Sequence, residues 1–342
     1  MSKRIDLQKA HILIVDHDRL MSDVLKETLT RMGLVNLSVA RHGRAALDVI
    51  RQQPVDILIT EWDMQPMDGM TLINTLRQSE EARYALLPAI MLTGRAEKPD
   101  VIEARDKGVT EFLVKPFTAK TLYNRLEHII DFPRDFLVTE QYVGPDRRRV
   151  RRSLQQIKLT EDRRVTVPIA QPETSKMPIP AGKQPRRIIP SHALKRKIGL
   201  MDSLDKVITE ETLQSAQEAI NSFSDASLIW IAEDIKSLDV ALDAVLAGNY
   251  QEALDQAKSA LLSLKSRAGT FDYLLASEVA FAFYGFLRNH FSPNHPSHLT
   301  ILRKHREVLK IILSRQVKGN GTGMERELAE GLKLMTVKLQ EA

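Results

Sequence analysis

Between residues 10 and 131, short apolar runs alternate with segments of helical periodicity, and few folds satisfy that alternation. "HILIV" (His11–Val15) is a continuous apolar run of the kind a strand buried on both faces requires. "RLMSDVLKETLTRMG" follows with Leu20, Val24, Leu25, Leu29 and Met32 at helical spacing and Gly33 as the stop. The pattern repeats. Strands are predicted at "LSVA" from Leu37, "DILIT" from Asp56, "PAIMLT" from Pro88 and "EFLV" from Glu111. Helices are predicted over 43–51, from Met70, over 98–107 and over 118–130. Five βα units of this kind predict an α/β domain with a doubly wound, five-stranded parallel sheet over residues 8–132. Such a sheet places ligands beyond the carboxyl ends of its strands.

The rest of the chain divides in two. Over 133–202 the pattern dissolves into Pro, Arg, Lys, Gln and Ser, with too little apolar surface to offset chain entropy, so a disordered or extended linker is expected. A short ordered hook around Tyr142–Arg149 is conceivable. Between Arg147 and Lys197 fifteen Lys or Arg face three Asp or Glu, whereas the remainder of the chain is mildly acidic. From 203 to 342 every segment reads as helix, predicting an all-α helical bundle. Stripes run from Leu228 to Val245 and from Tyr250 to Ala268, the second closed by Gly269. Further helices are predicted over 271–290, 298–316 and 324–339, and a shorter one before Phe223.

Cysteine is absent, which removes disulfides, thiolate catalysis and zinc–thiolate sites. No stretch approaches the ~20 apolar residues that span a bilayer. The first residues carry no long apolar run ahead of their charges. A cytoplasmic protein without a membrane span is therefore expected.

Four polar residues stand at the predicted carboxyl ends of strands one, three, four and five: Asp16, Glu61, Thr93 and Lys115. Carboxylates, a hydroxyl and a lysine gathered at one sheet edge suit phosphoryl transfer, whose charge they stabilise. With "EWDMQPMDG", "MLTG" and "FLVKPF" in that order, residues 10–131 resemble the receiver domain of response regulators, of which the chemotaxis response regulator is the type. The resemblance implies a flavodoxin-like fold, Mg²⁺ at the acidic corner, and sensor kinases or other two-component proteins as partners. It makes Thr93, Phe112 and Lys115 the switch and phosphate-contact residues, with a cis Lys115–Pro116 bond.

Two departures from that family lie at the chemistry. Glu61, one methylene longer, stands at the aspartate that accepts phosphate. The family's acidic pair falls on Asp16 and His17, and Asp18 follows one residue late. The metal ligands the resemblance implies, Asp16, Glu61 and the backbone carbonyl of Asp63, are thereby weakened, because Mg²⁺ prefers hard oxygen to nitrogen. The expectation is a non-catalytic adaptor with a pseudo-receiver. The alternatives are a response regulator that still accepts phosphate, and a nucleic-acid-binding effector using "RRRVRR" (Arg147–Arg152) and "LKRK" (Leu194–Lys197).

In the helical half, "LSLKSRAGTF" resembles the active helix of histidine phosphotransfer domains. The resemblance puts Leu262 at the phosphorylated position, on a polar face with Lys258, Ser259, Lys265 and Ser266. His290, His295 and His298 lie near one another, with His305 a helical distance beyond; the loop lacks a converging carboxylate and is expected to be a solvated helix connection. "KGNGTGME" (Lys318–Glu325) lacks the ending of a phosphate loop and reads as a turn.

Overall fold

The computed structural model describes residues 5–147, 165–168, 176–177, 186–189 and 193–340. Each expected strand forms: β1 (His11–Val15), β2 (Asn36–Ala40), β3 (Ile57–Thr60), β4 (Ala89–Thr93) and β5 (Glu111–Val114). All pair in parallel in the order β2-β1-β3-β4-β5. Helices α1 (Arg19–Arg31), α2 (Gly43–Gln52), α3 (Gly69–Arg77), α4 (Ala82–Ala85), α5 (Lys98–Asp106) and α6 (Ala119–Ile130) connect and flank them.

Leu13, Val15, Leu58, Ala89 and Met91 pack with Ala46 and Ile50 of α2 and Leu72, Ile73 and Leu76 of α3 in one core. The alternate residues Ile12, Ile14, Ile57, Ile59, Ile90 and Leu92 are equally buried on the opposite face. That double burial is why the central strands read as unbroken apolar runs, whereas edge strand β2 does not.

Contacts group the described residues into two units. The first holds residues up to Val114 and Ala119–Ala219; the second holds Ile220 onward with the short stretch Lys115–Thr118.

The expected disordered linker is corrected wherever it is described. β6 (Phe136–Val138), β7 (Val143–Pro145), β8 (Val165–Pro168) and β9 (Arg186–Ile189) form a second sheet ordered β7-β6-β9-β8. Phe136, Val138 and Ile188 close a small core over Ala82. The buried Arg77 guanidinium donates to the carbonyls of Ala85, Leu87 and Gly108, each at 2.9 Å, and lies 5.2 Å from the Phe136 ring centroid. Burial brings its pKa down to about 10.

The hook at Tyr142 is present through Arg147, with Tyr142 O–H donating to the Pro145 carbonyl at 2.8 Å. Arg148, Arg149 and the rest of "RRRVRR" lie outside the described residues. Leu194–Lys197 falls in a short helix, α7 (Ala193–Lys197), followed by a 3-10 turn (Leu204–Lys206) and α8 (Glu210–Ser222).

The second unit is helical throughout: α9 (Ser224–Leu246), α10 (Gln251–Thr270), α11 (Leu274–Asn289), α12 (Pro296–Ser314) and α13 (Met324–Gln340). Gly269 does not end its helix as expected, since α10 continues to Thr270. It is small because Pro116 and α11 both approach closely: a Cβ there would lie 2.5 Å from Pro116 Cγ and 2.8 Å from Ser277 Oγ, whose hydroxyl donates to the Lys265 carbonyl at 2.8 Å. Arg306 on α12 grips Asp239 (2.7 Å) and Asp243 (2.5 Å) on α9.

The solvated histidine connection is also corrected. His298 and His305 are buried, and they lie against Phe283, Phe286 and Phe291. Burial drives the His305 pKa from its ordinary 6.5 down to about 4.

Two predictions follow from these contacts. Folded His305 stays neutral to about pH 4 while the unfolded chain takes a proton near 6.5. Its stabilising contribution is therefore whole above that value and is lost as pH falls towards 4. Melting curves should show the helical unit losing about 2 kcal/mol between pH 7 and pH 5, and His305→Phe should flatten that dependence. In the first unit, Gly69 sits so close to the β3 end that a Cβ would lie 2.0 Å from the Glu61 carbonyl oxygen. Gly69→Ala should cost about 1–3 kcal/mol, read as a lower Tm.

Candidate acidic corner

Parallel register decides what meets at the carboxyl edge of the first sheet. Val15 pairs with Thr60, Thr60 with Met91 and Thr93 with Val114. Asp16, Glu61 and Thr93 therefore stand at consecutive strand ends, all buried, and Lys115, also buried, directly follows β5. The Lys115–Pro116 peptide is cis, as the resemblance implied, and so is Gln65–Pro66. Phe112 lies three residues before Lys115, paired with Met91 and packed half-buried against the core.

Each carboxylate has hydrogen-bond partners within its own loop. One oxygen of Asp16 accepts from the Asp18 amide at 2.9 Å, and the His17 imidazole stands 3.7 Å from that oxygen with half its side chain exposed. Asp18 is the N-cap of α1, accepting from the amides of Leu20 (2.9 Å) and Met21 (3.3 Å). That satisfies two of the helix's orphan donors. The Glu61 carboxylate folds back along its own loop, where Oε1 accepts from the Trp62 amide at 2.6 Å. The Thr60 hydroxyl donates to the Glu61 carbonyl at 2.9 Å, and the Gly69 amide donates to the Trp62 carbonyl at 2.9 Å. These bonds, with the close approach of Gly69, fix the loop's path.

A contact that sequence reasoning did not find ties two loops of the corner together. Arg95, two residues beyond Thr93, donates from Nε to Asp63 Oδ2 at 2.8 Å and from Nη2 to Oδ1 at 2.5 Å. The same guanidinium lies 4.9 Å from the ring centroid of buried Trp62, and the Arg95 amide donates to Thr93 Oγ1 at 3.3 Å. A planar cation held by a two-point pair and an aromatic face is a geometrically defined clamp. It links the β3–α3 loop, which carries Glu61, to the β4–α5 loop, which begins at Thr93. The available signal was a carboxylate two residues after Glu61 and a cation two residues after Thr93.

Mg²⁺ suits receiver corners generally, and it ordinarily binds through one or two carboxylates while keeping several waters. Here Asp16 and Glu61 are the carboxylates at the strand ends. The Asp18 side chain caps a helix and that of Asp63 holds Arg95. No group of three or more acidic or histidine side chains placed to hold a metal occurs among the described residues. Asp16 and Glu61 are the side chains that would hold it, and no chemistry below depends on it.

Leu262 lies half-buried on α10. The exposed polar face expected around it is corrected, since Lys265 and Ser266 are buried, with Lys265 Nζ 4.2 Å from the Phe281 ring centroid. Packing against α11 covers this part of the helix.

Residues 12–127 match the family model of the response regulator receiver domain. Chemotaxis protein CheY-3 of Vibrio cholerae is 37% identical over 120 residues, covering 35% of this chain and 91% of that protein. The chemotaxis protein CheY homolog of Campylobacter jejuni is 38% identical over 120 residues, with the same coverage. Chemotaxis protein CheY of Pseudomonas aeruginosa is 36% identical over 120 residues, covering 35% of this chain and 95% of that protein. Residues from Ile220 onward lie outside the matched family domain, and no helix among the described residues is long and apolar enough to cross a membrane. Through residues 12–127 the chain belongs to the response regulator receiver family of two-component signalling proteins.

Proposed function

We propose that this receiver is a non-catalytic docking module: its conformation is set by protein partners and by its own Arg95–Asp63 clamp, not by phosphate on Glu61. The clamp is the observation that carries the reading. A receiver that takes up phosphate must admit a donor between the loops after β3 and β4. Here those loops are joined across the corner by a guanidinium–carboxylate pair.

The substitutions at the chemistry act in the same direction. Glu61 is longer than the family's acceptor, and its carboxylate is turned onto the Trp62 amide. In-line transfer tolerates little misplacement, with ~1 Å costing on the order of a hundredfold. His17 puts an imidazole where the family has a second metal-binding carboxylate. The protein is accordingly read as an adaptor in two-component signalling, with sensor kinases or other proteins of such systems as its partners and no enzymatic activity of its own.

The nucleic-acid alternative is weaker on a specific observation. Within Leu194–Lys197, Lys195 is paired with Asp131 at 2.9 Å and Lys197 with Asp56 at 2.6 Å. These cations already serve intramolecular carboxylates, so less of their charge is open to a phosphate backbone.

Incubation of the full chain with acetyl phosphate and Mg²⁺, followed by intact-mass measurement, tests the reading. The expected result is no phosphoryl adduct on the native chain, and an adduct on a version carrying Glu61→Asp with His17→Asp. An adduct on the native receiver would overturn it.

A further inference from the structure

Helix α13 buries little of its apolar surface. It packs against α12 and α11, yet Leu332 is buried while Met324, Leu334 and Val337 remain 59%, 64% and 47% exposed. A groove of about 310 Å³ runs between α12 and α13, lined by Val308, Leu328, Leu332 and Met335 together with Glu327 and Gly331. Along it, Met324, Glu327, Gly331, Leu334 and Lys338 follow one another at steps of three and four, and all are exposed. That spacing keeps them on one face of the helix, as in the seam of a helix pair. Single exposed apolar residues need no explanation, but an apolar groove with such a seam beside it marks an interaction surface.

The charges on the seam select its partner. Glu327 stands towards the amino end and Lys338 towards the carboxyl end, and neither side chain has an ion pair or hydrogen bond among the described residues. Their neighbours are engaged: Glu325 meets Arg315 at 2.6 Å, and Glu330 meets Arg326 at 3.0 Å. A face with opposite signs at its two ends complements a second copy of itself laid antiparallel and repels a parallel one. Gly331 lies midway along the seam. A glycine inside a helix weakens that helix, and this chain's own packing does not call for it, since a Cβ there would meet nothing within 4 Å. On a two-fold axis it lets two helix backbones approach closely. With Gly331 on that axis, Leu334 of one copy stands opposite Leu328 of the other, at the groove, and Glu327 of one lies within a helical turn of Lys338 of the other. Symmetry makes each contact twice.

We propose that α13 is a self-docking face: two copies of this protein associate through antiparallel α13 helices, each setting Leu334 into the other's α12–α13 groove. One 17-residue helix and the rim of α12 make a small interface, so the dimer is reversible and concentration-dependent. Nothing in it depends on the acidic corner.

Sedimentation equilibrium of the full chain over a concentration series tests it. The native protein should pass from monomer to dimer across the micromolar range. Leu334→Asp and Gly331→Leu alter exposed positions, so helix content should stay native while the dissociation constant rises by about tenfold or more. Glu327→Lys and Lys338→Glu should each weaken the dimer about fivefold, because the axis turns two attractions into two repulsions, and the double reversal should restore it. A native monomer throughout that range would overturn the proposal and leave the face to a helix of another protein. A dimer indifferent to Leu334→Asp or to the single charge reversals, or not restored by the double one, would overturn it as well.

Discussion

Parallel pairing of β1, β3, β4 and β5 is the constraint on which the site depends. It forces the ends of distant segments onto one edge, so that Asp16, Glu61 and Thr93 become neighbours although up to 77 positions separate them, with Lys115 next along the chain from β5. The central strands hold this register because they are buried on both faces, and a slip of one residue would exchange one buried set for the other. Once the edge exists, its chemistry is decided by side chains of single residues. Gly69 matters for that reason: its missing Cβ lets the start of α3 lie against the Glu61 carbonyl, which fixes the loop that aims the carboxylate.

The corner's individual bonds are each ordinary, and their combination gives it one stable arrangement. Asp18 serves α1, Glu61 serves the Trp62 amide, and Asp63 serves Arg95. Arg95 and Asp63 are partly exposed, so solvent weakens their attraction and the pair adds little to overall stability. Its value is geometric. A two-point pair stacked on Trp62 fixes the separation of two loops, and a partner of suitable charge can reopen it at modest cost. A contact of that strength suits a switch better than a structural tie.

The parallel sheet was legible because double burial writes itself into sequence as unbroken apolar runs, and five such runs alternating with helical periodicity admit few folds. The second sheet was not legible. Its strands have three or four residues each, and Phe136 finds its partner at Ile188, so no local pattern announces them. Composition correctly showed a proline- and arginine-rich stretch; what it hid was a handful of apolar residues sufficient for a small core. Gly269 was misread as a helix stop because its smallness answers to Pro116 and α11, a tertiary fact. His298 was misread as part of a solvated connection although it lies seven positions before His305, on one face of a helix, a spacing that points to burial. At the site, the strand-end residues could be named from motifs, but the Arg95–Asp63 clamp joins two loops and obeys no periodicity.

The central claim is that the corner is closed by its own ion pair and does not seat a phosphoryl group on Glu61. The most direct measurement is a crystal structure of the full chain grown with beryllofluoride and Mg²⁺. The account predicts Arg95 on Asp63, the Glu61 carboxylate on the Trp62 amide, and no beryllofluoride at the β3 end. Beryllofluoride bonded to Glu61, with Mg²⁺ beside Asp16 and Arg95 drawn away from Asp63, would contradict it.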